Sequence, residues 1–534
     1  MSFRFYKFFL LTLVLAITTQ VQAQTRYLDE VFSGVNVEPN VVYGNNISVL
    51  TAPNVMAEDL LMDIYTPDGD TASNRPVVVY FHTGSFLPPL FNGGITGARS
   101  DSTVTEVCRR MTRLGYVAIA ATYRAGWNPT AVGPTGQDIR TGTLLNAAYR
   151  GIQDARTLIR FLRKSVAEES NPYGIDTDKI VLWGQGTGGY ISMGAAFLDR
   201  FEEVNLAKFL DSGTLLPYVD TNQVGNVFAS TQKPLCLPNH LGYSSDFAMA
   251  VNMGGALGDS SWIDGGGNEP PIIGFHTVKD PFAPFGHGAV IVPTTGDFVV
   301  NVSGTRRVIS RSNATGVNDI IDEANDLNNT LNSLNDLYES ITVTLPGDMV
   351  TLSEDNMYPF NTPGLEAGPW DWWDLPTLRV VVNLTNMATG SMFNADTLHR
   401  DGLLTNPDMS AEKGKAYLDT VMAYYIPRAC EVLQLEGCCE ELGINCPTST
   451  NEAIAAEVGL KVMPNPARDY VFFQSEERPI EGLQLYDMSG RVLRSFNGLN
   501  DYQFELSRGN IASGIYIAQL QFGDKVVNKK IIFD

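Results

Sequence analysis

The residues with the clearest chemical meaning form a glycine-rich turn at 184–189, which has the sequence Gly-Gln-Gly-Thr-Gly-Gly. The turn follows the apolar run Lys179–Trp183, which predicts a buried strand, and small residues typical of a helix start follow it. A sharp strand–turn–helix connection of this kind can hold a nucleophilic serine at its middle position. That position is Gly186, so the turn has the pattern of a nucleophile site without the hydroxyl group. A nucleotide-binding loop is a weak alternative, because the segment contains no P-loop lysine.

A second group with chemical potential is the cluster Pro369–Asp374, in which Trp370, Trp372 and Trp373 accompany two aspartates. Such rings can stack on sugars or on aromatic acyl groups, although packing in the core is the simpler interpretation. The sequence shows no metal-ligand spacing and no dinucleotide fingerprint, so we expect neither a metal nor a cofactor.

The segments around these residues alternate between strands and helices, which predicts a parallel sheet with helices on both faces. The predicted strands are Leu60–Tyr65, Pro76–Phe81, Gly115–Tyr123, Ile180–Trp183, Phe247–Met253 and Pro271–Phe275, and the predicted helices are Thr103–Leu114, Asn146–Arg163, 187–200 and Ala411–Leu435. Three other segments lie outside this alternation of strands and helices. Residues 24–55 are predicted to be irregular, 201–245 to be a loop or cap insertion, and 318–338 to form one amphipathic helix.

Over residues 55–435 the sequence resembles the α/β-hydrolase superfamily, and within it the carboxylesterase and feruloyl-esterase-like branch. The resemblance rests on Tyr80–Phe86, which is similar to a His-Gly-Gly-Gly loop, on the strand-end pair Tyr123-Arg124, on Gln153–Arg156, and on Pro271–Pro281. It implies an α/β fold with a mostly parallel sheet, helices on both faces and large insertions.

The resemblance also implies a catalytic triad in which Gly186 occupies the nucleophile position and Asp280 is the acid. In this family the histidine follows the acid in the chain, and His287 and His399 are the histidines of this sequence that do so. His287 follows Asp280 too closely, whereas His399 precedes the last long helix. His399 is therefore the candidate, with an exposed loop histidine as the alternative.

The oxyanion donors implied by the resemblance are the backbone amides of Thr83 or Gly84 and of Thr187. Because these donors are backbone groups, they do not depend on a serine at position 186. Thr187 itself is a poor replacement nucleophile, since it lies one residue beyond the apex of the turn and is β-branched.

Residues 457–534 differ from the rest, because short alternating strands separated by turn residues predict a small antiparallel β-sandwich. This segment resembles the C-terminal sorting domain of type IX secretion (Por) substrates. The matching residues are Pro464–Pro466, Leu485–Gly490, Gly514–Tyr516 and Val526–Ile532. The resemblance implies export across the outer membrane of a Gram-negative cell, with the type IX secretion machinery as a partner.

The termini and the composition agree with export. A basic start, an apolar stretch and a small-residue cleavage site predict a signal peptide at 1–23, which leaves a hydrolase-like domain at 24–446, a linker at 447–456 and the sorting domain. No later segment of the sequence is long and apolar enough to predict a transmembrane span. Six cysteines, four of them between 430 and 446, favour disulfides whose pairing the sequence leaves open. The net charge of −22 argues against nucleic acid as a partner.

Three functions remain open from the sequence. The first is an exported carboxylesterase-like protein that binds an ester or a glycan with little or no hydrolysis, because losing a triad nucleophile can remove on the order of 10⁶ in turnover. The second is an active extracellular carboxylic ester hydrolase with a non-standard nucleophile. The third is a surface adhesion or scaffold protein that uses the fold as a platform.

Overall fold

The computed structural model describes residues 24–533, apart from 267, 293–294, 346–347, 445, 447–454, 456–457, 466, 488–490 and 524. The predicted signal peptide at 1–23 and most of the predicted linker at 447–456 therefore lie outside the described residues.

The strands of the first 446 residues include those of a large central sheet and of smaller additions to it. They are β1 (Val35–Ser48), β2 (Met56–Pro67), β3 (Arg75–Phe81), β4 (Val117–Ala121), β5 (Ile175–Gln185), β6 (Met249–Met253), β7 (Ala256–Leu257), β8 (Ile272–Thr277), β9 (His287–Ile291), β10 (Phe298–Gly304), β11 (Thr342–Leu345), β12 (Asp348–Thr351) and β13 (Met357–Phe360).

The helices of the same region are α1 (Ser102–Leu114), α2 (Gly136–Glu168), α3 (Thr187–Phe197), α4 (Thr221–Val224), α5 (Thr305–Ala314), α6 (Glu323–Asp326), α7 (Thr330–Glu339), α8 (Leu375–Thr389), α9 (Ala395–Gly402), α10 (Ala411–Val432) and α11 (Glu436–Leu442). Short 3₁₀ helices occur at Phe201–Asn205, Ala207–Phe209 and Ser260–Trp262. The insertion at 201–245 otherwise contains little regular structure, as predicted.

The central sheet has eight strands in the order β1-β2-β4-β3-β5-β6-β8-β13. The pairs β1–β2 and β2–β4 are antiparallel, and every other neighbouring pair is parallel. A parallel sheet brings the carboxyl ends of its strands to one edge, where ligand sites form in open α/β sheets. The loops after β3, β5, β8 and β13 therefore meet at one edge, and the glycine-rich turn is one of them.

The sheet is buried on both faces, and strand β3 shows how. Its residues alternate, with Val77, Val79 and Phe81 in one apolar core and Val78 and Tyr80 in the other. Helices α2, α3 and α5 contribute to the first core, and helices α1 and α10 contribute to the second. The prediction of a mostly parallel sheet with helices on both faces is confirmed.

The C-terminal segment consists of β14 (Lys461–Met463), β15 (Tyr470–Gln474), β16 (Ile480–Asp487), β17 (Val492–Asp501), β18 (Gln503–Ser507), β19 (Gly514–Phe522) and β20 (Lys525–Phe533). Strands β14-β15-β18 and β17-β16-β19-β20 form two antiparallel sheets. Residues from both sheets share one apolar core, as in a β-sandwich.

The structure corrects the interpretation of residues 24–55 as irregular, because β1 occupies 35–48 and pairs with β2 along most of its length. β1 is the edge strand of the sheet, and the first part of the strand is mostly exposed. An edge strand that faces solvent carries polar residues. The first part of β1 therefore lacks the run of apolar residues that predicts a buried strand from sequence.

The single helix predicted at 318–338 is also wrong, since the structure has the two short helices α6 and α7 there. Asn329 caps the second helix by accepting a hydrogen bond from the Asn332 amide at 2.9 Å. The Asn332 side chain in turn donates to the carbonyl oxygens of Ala324 and Leu327, both at 2.9 Å. Asparagine side chains that bond backbone groups in this way compete with a continuous helix.

The cluster of four cysteines forms two disulfides, Cys430–Cys438 and Cys439–Cys446. They lie at the C-terminal end of residues 24–446, which are called the large unit below. Cys108 and Cys236 are buried as free thiols. Within the described residues, no helix is sufficiently long and apolar to span a membrane.

Candidate functional site

The glycine-rich turn connects β5 directly to α3, with Gly186 at its apex. Gly186 has φ 52° and ψ −114°, a backbone conformation that residues with a side chain rarely adopt. Its amide donates to the carbonyl oxygen of Met253 on β6 at 2.8 Å, and its carbonyl oxygen accepts from the Gly189 amide at 2.9 Å. The turn is therefore a sharp connection in a conformation that glycine adopts without strain, and it is held in place by backbone hydrogen bonds.

The glycines of this turn have different reasons to be glycine. A Cβ atom on Gly184 would collide with the backbone of Gly188, and one on Gly188 would collide with the carbonyl group of Phe81. Those two positions admit no side chain, because the obstacle is main chain. A Cβ on Gly186 would meet no main-chain atom closer than the Cα of Thr83 at 3.7 Å.

The obstacle at Gly186 is instead the side chain of Thr83. A Cβ on Gly186 would collide with Thr83 Oγ1 and lie 3.0 Å from Thr83 Cβ. The Thr83 hydroxyl thus occupies the space into which a side chain at the apex would project.

The loop that carries Thr83 is tied to the turn. The Ser85 amide donates to Thr187 Oγ1 at 2.8 Å, which links the loop after β3 to the first residue of α3. The Tyr123 hydroxyl donates to the Thr83 carbonyl oxygen at 3.2 Å, and the same oxygen lies 2.5 Å from Nδ1 of His82. The predicted oxyanion residues Thr83, Gly84 and Thr187 consequently lie together at the turn.

A cavity of about 650 Å³ opens beside the turn. The sequence-predicted residues that line it are Thr83, Gly84, Gly186, Thr187 and Asp280. Most of the other lining residues are apolar or aromatic. About half of these come from α2, α3, the insertion at 201–245 and strands β9 and β10, and the rest come mainly from loops and from the region around the tryptophan cluster. A volume of several hundred Å³ with mainly apolar walls is typical of a site for a small organic ligand.

Asp280 follows β8 and is almost completely buried, with 6% of its side chain exposed. Its Oδ1 accepts hydrogen bonds from the amides of Phe282 and Ala283 at 2.7 and 3.1 Å. Burial raises the pKa of Asp280 to about 7, although these two amides act in the opposite direction. Asp280 therefore lies at the cavity, and its role as the triad acid stays a prediction.

Two histidines near the site are engaged elsewhere. His276 is fully buried, its Nδ1 lies 2.5 Å from Thr305 Oγ1, and its Nε2 lies 3.1 Å from the Ala283 carbonyl oxygen and 3.7 Å from Asp280 Oδ2. Burial lowers the pKa of His276 to about 4, so the ring is neutral at neutral pH. His82 is buried as well, and burial likewise lowers its pKa to about 4.

The candidate triad histidine, His399, lies on α9 and is half-buried. Its Nδ1 accepts a hydrogen bond from Trp373 Nε1 at 3.0 Å, and His399 is not among the described residues that line the cavity. No histidine at all occurs among the described lining residues. The role of His399 stays a prediction, and no contact with Asp280 supports it.

Sequence reasoning missed a second buried carboxylate, Asp371, which also lines the cavity. Asp371 Oδ1 accepts hydrogen bonds from Thr103 Oγ1 at 2.6 Å and from Gln185 Nε2 at 2.8 Å, and Tyr80 in turn donates to Gln185 at 2.8 Å. Burial raises the pKa of Asp371 to about 6. The only sequence signal was its place in the tryptophan cluster, in which Trp370 is buried and lines the cavity.

The motif residues Arg124 and Asp154 do not line the cavity but form a buried ion pair. Both side chains are 0% exposed, and Arg124 Nη2 lies 2.8 Å from Asp154 Oδ1. Asp154 also accepts from the Arg124 amide at 2.8 Å. The pair joins the end of β4 to α2, so the role of these motif residues is structural.

Comparisons with protein families agree with this architecture. Residues 62–215 match the BD-FAE family, and this segment contains the second half of β2, strands β3 to β5, the Thr83 loop, the glycine-rich turn and α3. Residues 461–534 match the secretion system C-terminal sorting domain. A search of the curated proteins finds no match.

Solved structures of esterase 2 from Thermogutta terrifontis are similar to part of the chain. The form phosphorylated by paraoxon is 21% identical, covers 49% of this chain and 77% of its own, and has a TM-score of 0.27. The butyrate-bound form is 20% identical, covers 49% of this chain and 78% of its own, and has a TM-score of 0.26.

The sorting domain implies type IX secretion to the cell surface or the extracellular space. The sheet order and the position of the turn after β5 agree with the family match in the preceding segment. The chain is therefore an exported protein that combines a large α/β unit built on a mostly parallel sheet, in which residues 62–215 match the BD-FAE family, with a C-terminal sorting domain at 461–534.

Proposed function

We propose that the large unit binds an apolar carboxylic ester in its cavity and hydrolyses it slowly or not at all. The observation that carries this proposal is the combination at one cavity of Gly186 at the apex of the turn and a described lining without histidine. Acyl transfer by this fold needs a hydroxyl that attacks and an imidazole that takes its proton. Position 186 carries no hydroxyl and no described lining residue is a histidine, which supports little or no hydrolysis.

The binding part of the proposal rests on two backbone amides at the turn and on the apolar walls of the cavity. Thr187 is the first residue of α3, so no carbonyl of that helix can accept its amide hydrogen. That amide and the Gly84 amide are candidates to hold the carbonyl oxygen of an ester, while the apolar walls hold its chain. A glycan, the other predicted ligand class, needs many hydrogen-bonding groups, and the mainly apolar lining favours the ester.

The test measures binding and turnover on the same purified full-length chain. Displacement of a neutral fluorescent probe by methyl decanoate should report saturable binding, whereas release of p-nitrophenol from p-nitrophenyl decanoate should not exceed the rate in buffer. Leu145→Trp should fill the cavity, which Leu145 lines, and abolish binding. The matched control is Leu337→Trp, at an exposed position on α7, which should leave binding unchanged. Saturable turnover that is fast, with a kcat of about 1 per second or more as in typical enzymes, and that Leu145→Trp removes would contradict the proposal.

A second candidate function, active ester hydrolysis with a non-standard nucleophile, is favoured by one observation, the hydroxyl of Thr83 beside the apex. In this case Thr83 would be the nucleophile, and a fluorophosphonate should label it covalently. Mass spectrometry of the labelled peptide, with Thr83→Ala as the unlabelled control, decides between the two functions.

A further inference from the structure

The cavity has an uneven distribution of charge. Among the described residues that line it there is no lysine, arginine or histidine, whereas Asp280, Asp371 and Asp401 all line it. Asp401 is half exposed and pairs with Arg400 at 2.9 Å, so its charge is compensated locally. The uncompensated carboxylates are those of Asp280 and Asp371.

Each of these two aspartates has one oxygen satisfied and one without a donor. In both, Oδ1 accepts two hydrogen bonds from neighbouring groups. No described residue donates a hydrogen bond to Oδ2 of Asp371 or to Oδ2 of Asp280. Nε2 of His276 lies 3.7 Å from Oδ2 of Asp280, which is beyond hydrogen-bond distance. Both side chains are more than nine-tenths buried. Buried polar atoms normally have a partner, so these two oxygens have capacity for one.

An aromatic ring lies beside them. The point at which a Cβ of Gly254 would stand is 3.4 Å from Cζ2 of Trp370 and 4.0 Å from Oδ2 of Asp280, so ring and carboxylate flank the same small volume. The ring nitrogen of Trp370 is buried and has no hydrogen-bond partner among the described residues. The face of a tryptophan attracts an ammonium group, and a nearby carboxylate adds to that attraction.

These features select a ligand by its charge. Because burial raises the pKa of Asp280 to about 7 and that of Asp371 to about 6, both carboxylates are mainly ionised only above about pH 7. At such a pH a carboxylate head group would meet two anionic side chains and no cationic side chain among the described lining residues, and repulsion between like charges in a poorly solvated space is strong. A neutral ester would meet no such repulsion. An alkylammonium head group would compensate the two carboxylates and would lie near an aromatic ring.

We propose that the cavity binds an apolar ligand with a cationic amine head group most tightly, accepts a neutral one and rejects a carboxylate. The inference rests on the proposed function, because it concerns the ligand of the same cavity. It adds that the cavity would retain an ester and would release a fatty acid.

The test compares three ligands of equal chain length on the full-length chain at pH 8, where both aspartates are ionised. Decylammonium, methyl decanoate and decanoate compete for a neutral fluorescent probe, each below its micelle concentration. We expect the cation to bind at least tenfold more tightly than decanoate, with the neutral ester between them. Asp280→Asn and Asp371→Asn should each reduce this ratio, and the matched control Asp396→Asn, an exposed residue paired with Arg379, should preserve it.

The outcomes separate the two proposals. If the neutral ester binds and decanoate binds as tightly as the cation, the charge selection is overturned and the proposed function stands. If none of the three ligands displaces the probe, both proposals are overturned. The ranking on the unaltered chain decides the charge selection even where an asparagine variant does not fold.

Discussion

Replacing Gly186 with serine would place a hydroxyl at the apex of the turn, and the structure gives the cost in stability. Backbone at φ 52° with a side chain is strained by about 1–3 kcal/mol. The new Cβ also collides with Thr83 Oγ1 and lies 3.0 Å from Thr83 Cβ, an overpacking that typically costs about 1–3 kcal/mol. We therefore expect Gly186→Ser to lower the free energy of unfolding by about 2–6 kcal/mol, with Thr83 responsible for part of the loss.

A double-mutant cycle isolates that part. Thr83→Ala removes the hydroxyl, so the cost of Gly186→Ser should be smaller in the Thr83→Ala background by roughly 1–3 kcal/mol. Urea titration followed by tryptophan fluorescence is a suitable assay, because all six tryptophans lie between residues 127 and 373 and report on the large unit alone. Additive effects of the two changes, within about 0.5 kcal/mol, would refute the steric reasoning.

The same variants test the chemistry. Gly186→Ser with Thr83→Ala should still fail to hydrolyse p-nitrophenyl esters, because no histidine lines the described cavity to accept the serine proton. Ester turnover that appears in the double variant and disappears with Asp280→Ala would show that a base is assembled after all.

Three further predictions concern stability. The pKa of Asp280 is raised from 3.8 in the unfolded chain to about 7 in the folded chain, so protonation of this carboxyl stabilises the folded chain most below about pH 4, and that contribution is lost as the pH rises through 7. In urea titrations Asp280→Asn should therefore be more stable than the parent at pH 8, by up to about 4 kcal/mol, and equally stable at pH 4. Asp154→Ala should cost about 3–5 kcal/mol in the same assay, because it leaves the charge of Arg124 buried and unpaired; a loss below 1 kcal/mol would contradict the buried pair. Removing the Cys430–Cys438 disulfide by alanine substitution should cost about 2–3 kcal/mol, and reductant should erase the difference between variant and parent.

Local features of the site could be predicted from the sequence. The strand, the turn and the helix around Gly186 are contiguous, and glycines at 184 and 188 are required by the close approach of main chain. The positive φ of Gly186 agrees with the strain expected for that turn. Asp280 could be placed for a similar reason, since it follows its strand by only a few residues.

Features that depend on distant residues could not be predicted. The space at Gly186 is occupied by Thr83, and Asp371 receives a hydrogen bond from Gln185, which is 186 residues away in the chain. Strand β13 has four residues, too few to show a periodicity, so its position at the edge of the sheet was not anticipated. The absence of lysine, arginine and histidine among the described residues that line the cavity results from many segments that meet only in the folded chain, so no single segment of the sequence predicts it.

The position of the Thr83 hydroxyl limits which residues position 186 can acquire by mutation. A chain that acquired serine at 186 while it kept threonine at 83 would carry two side chains in one space and would be less stable before any catalytic benefit existed. Selection for stability would therefore favour glycine at 186 for as long as position 83 is threonine.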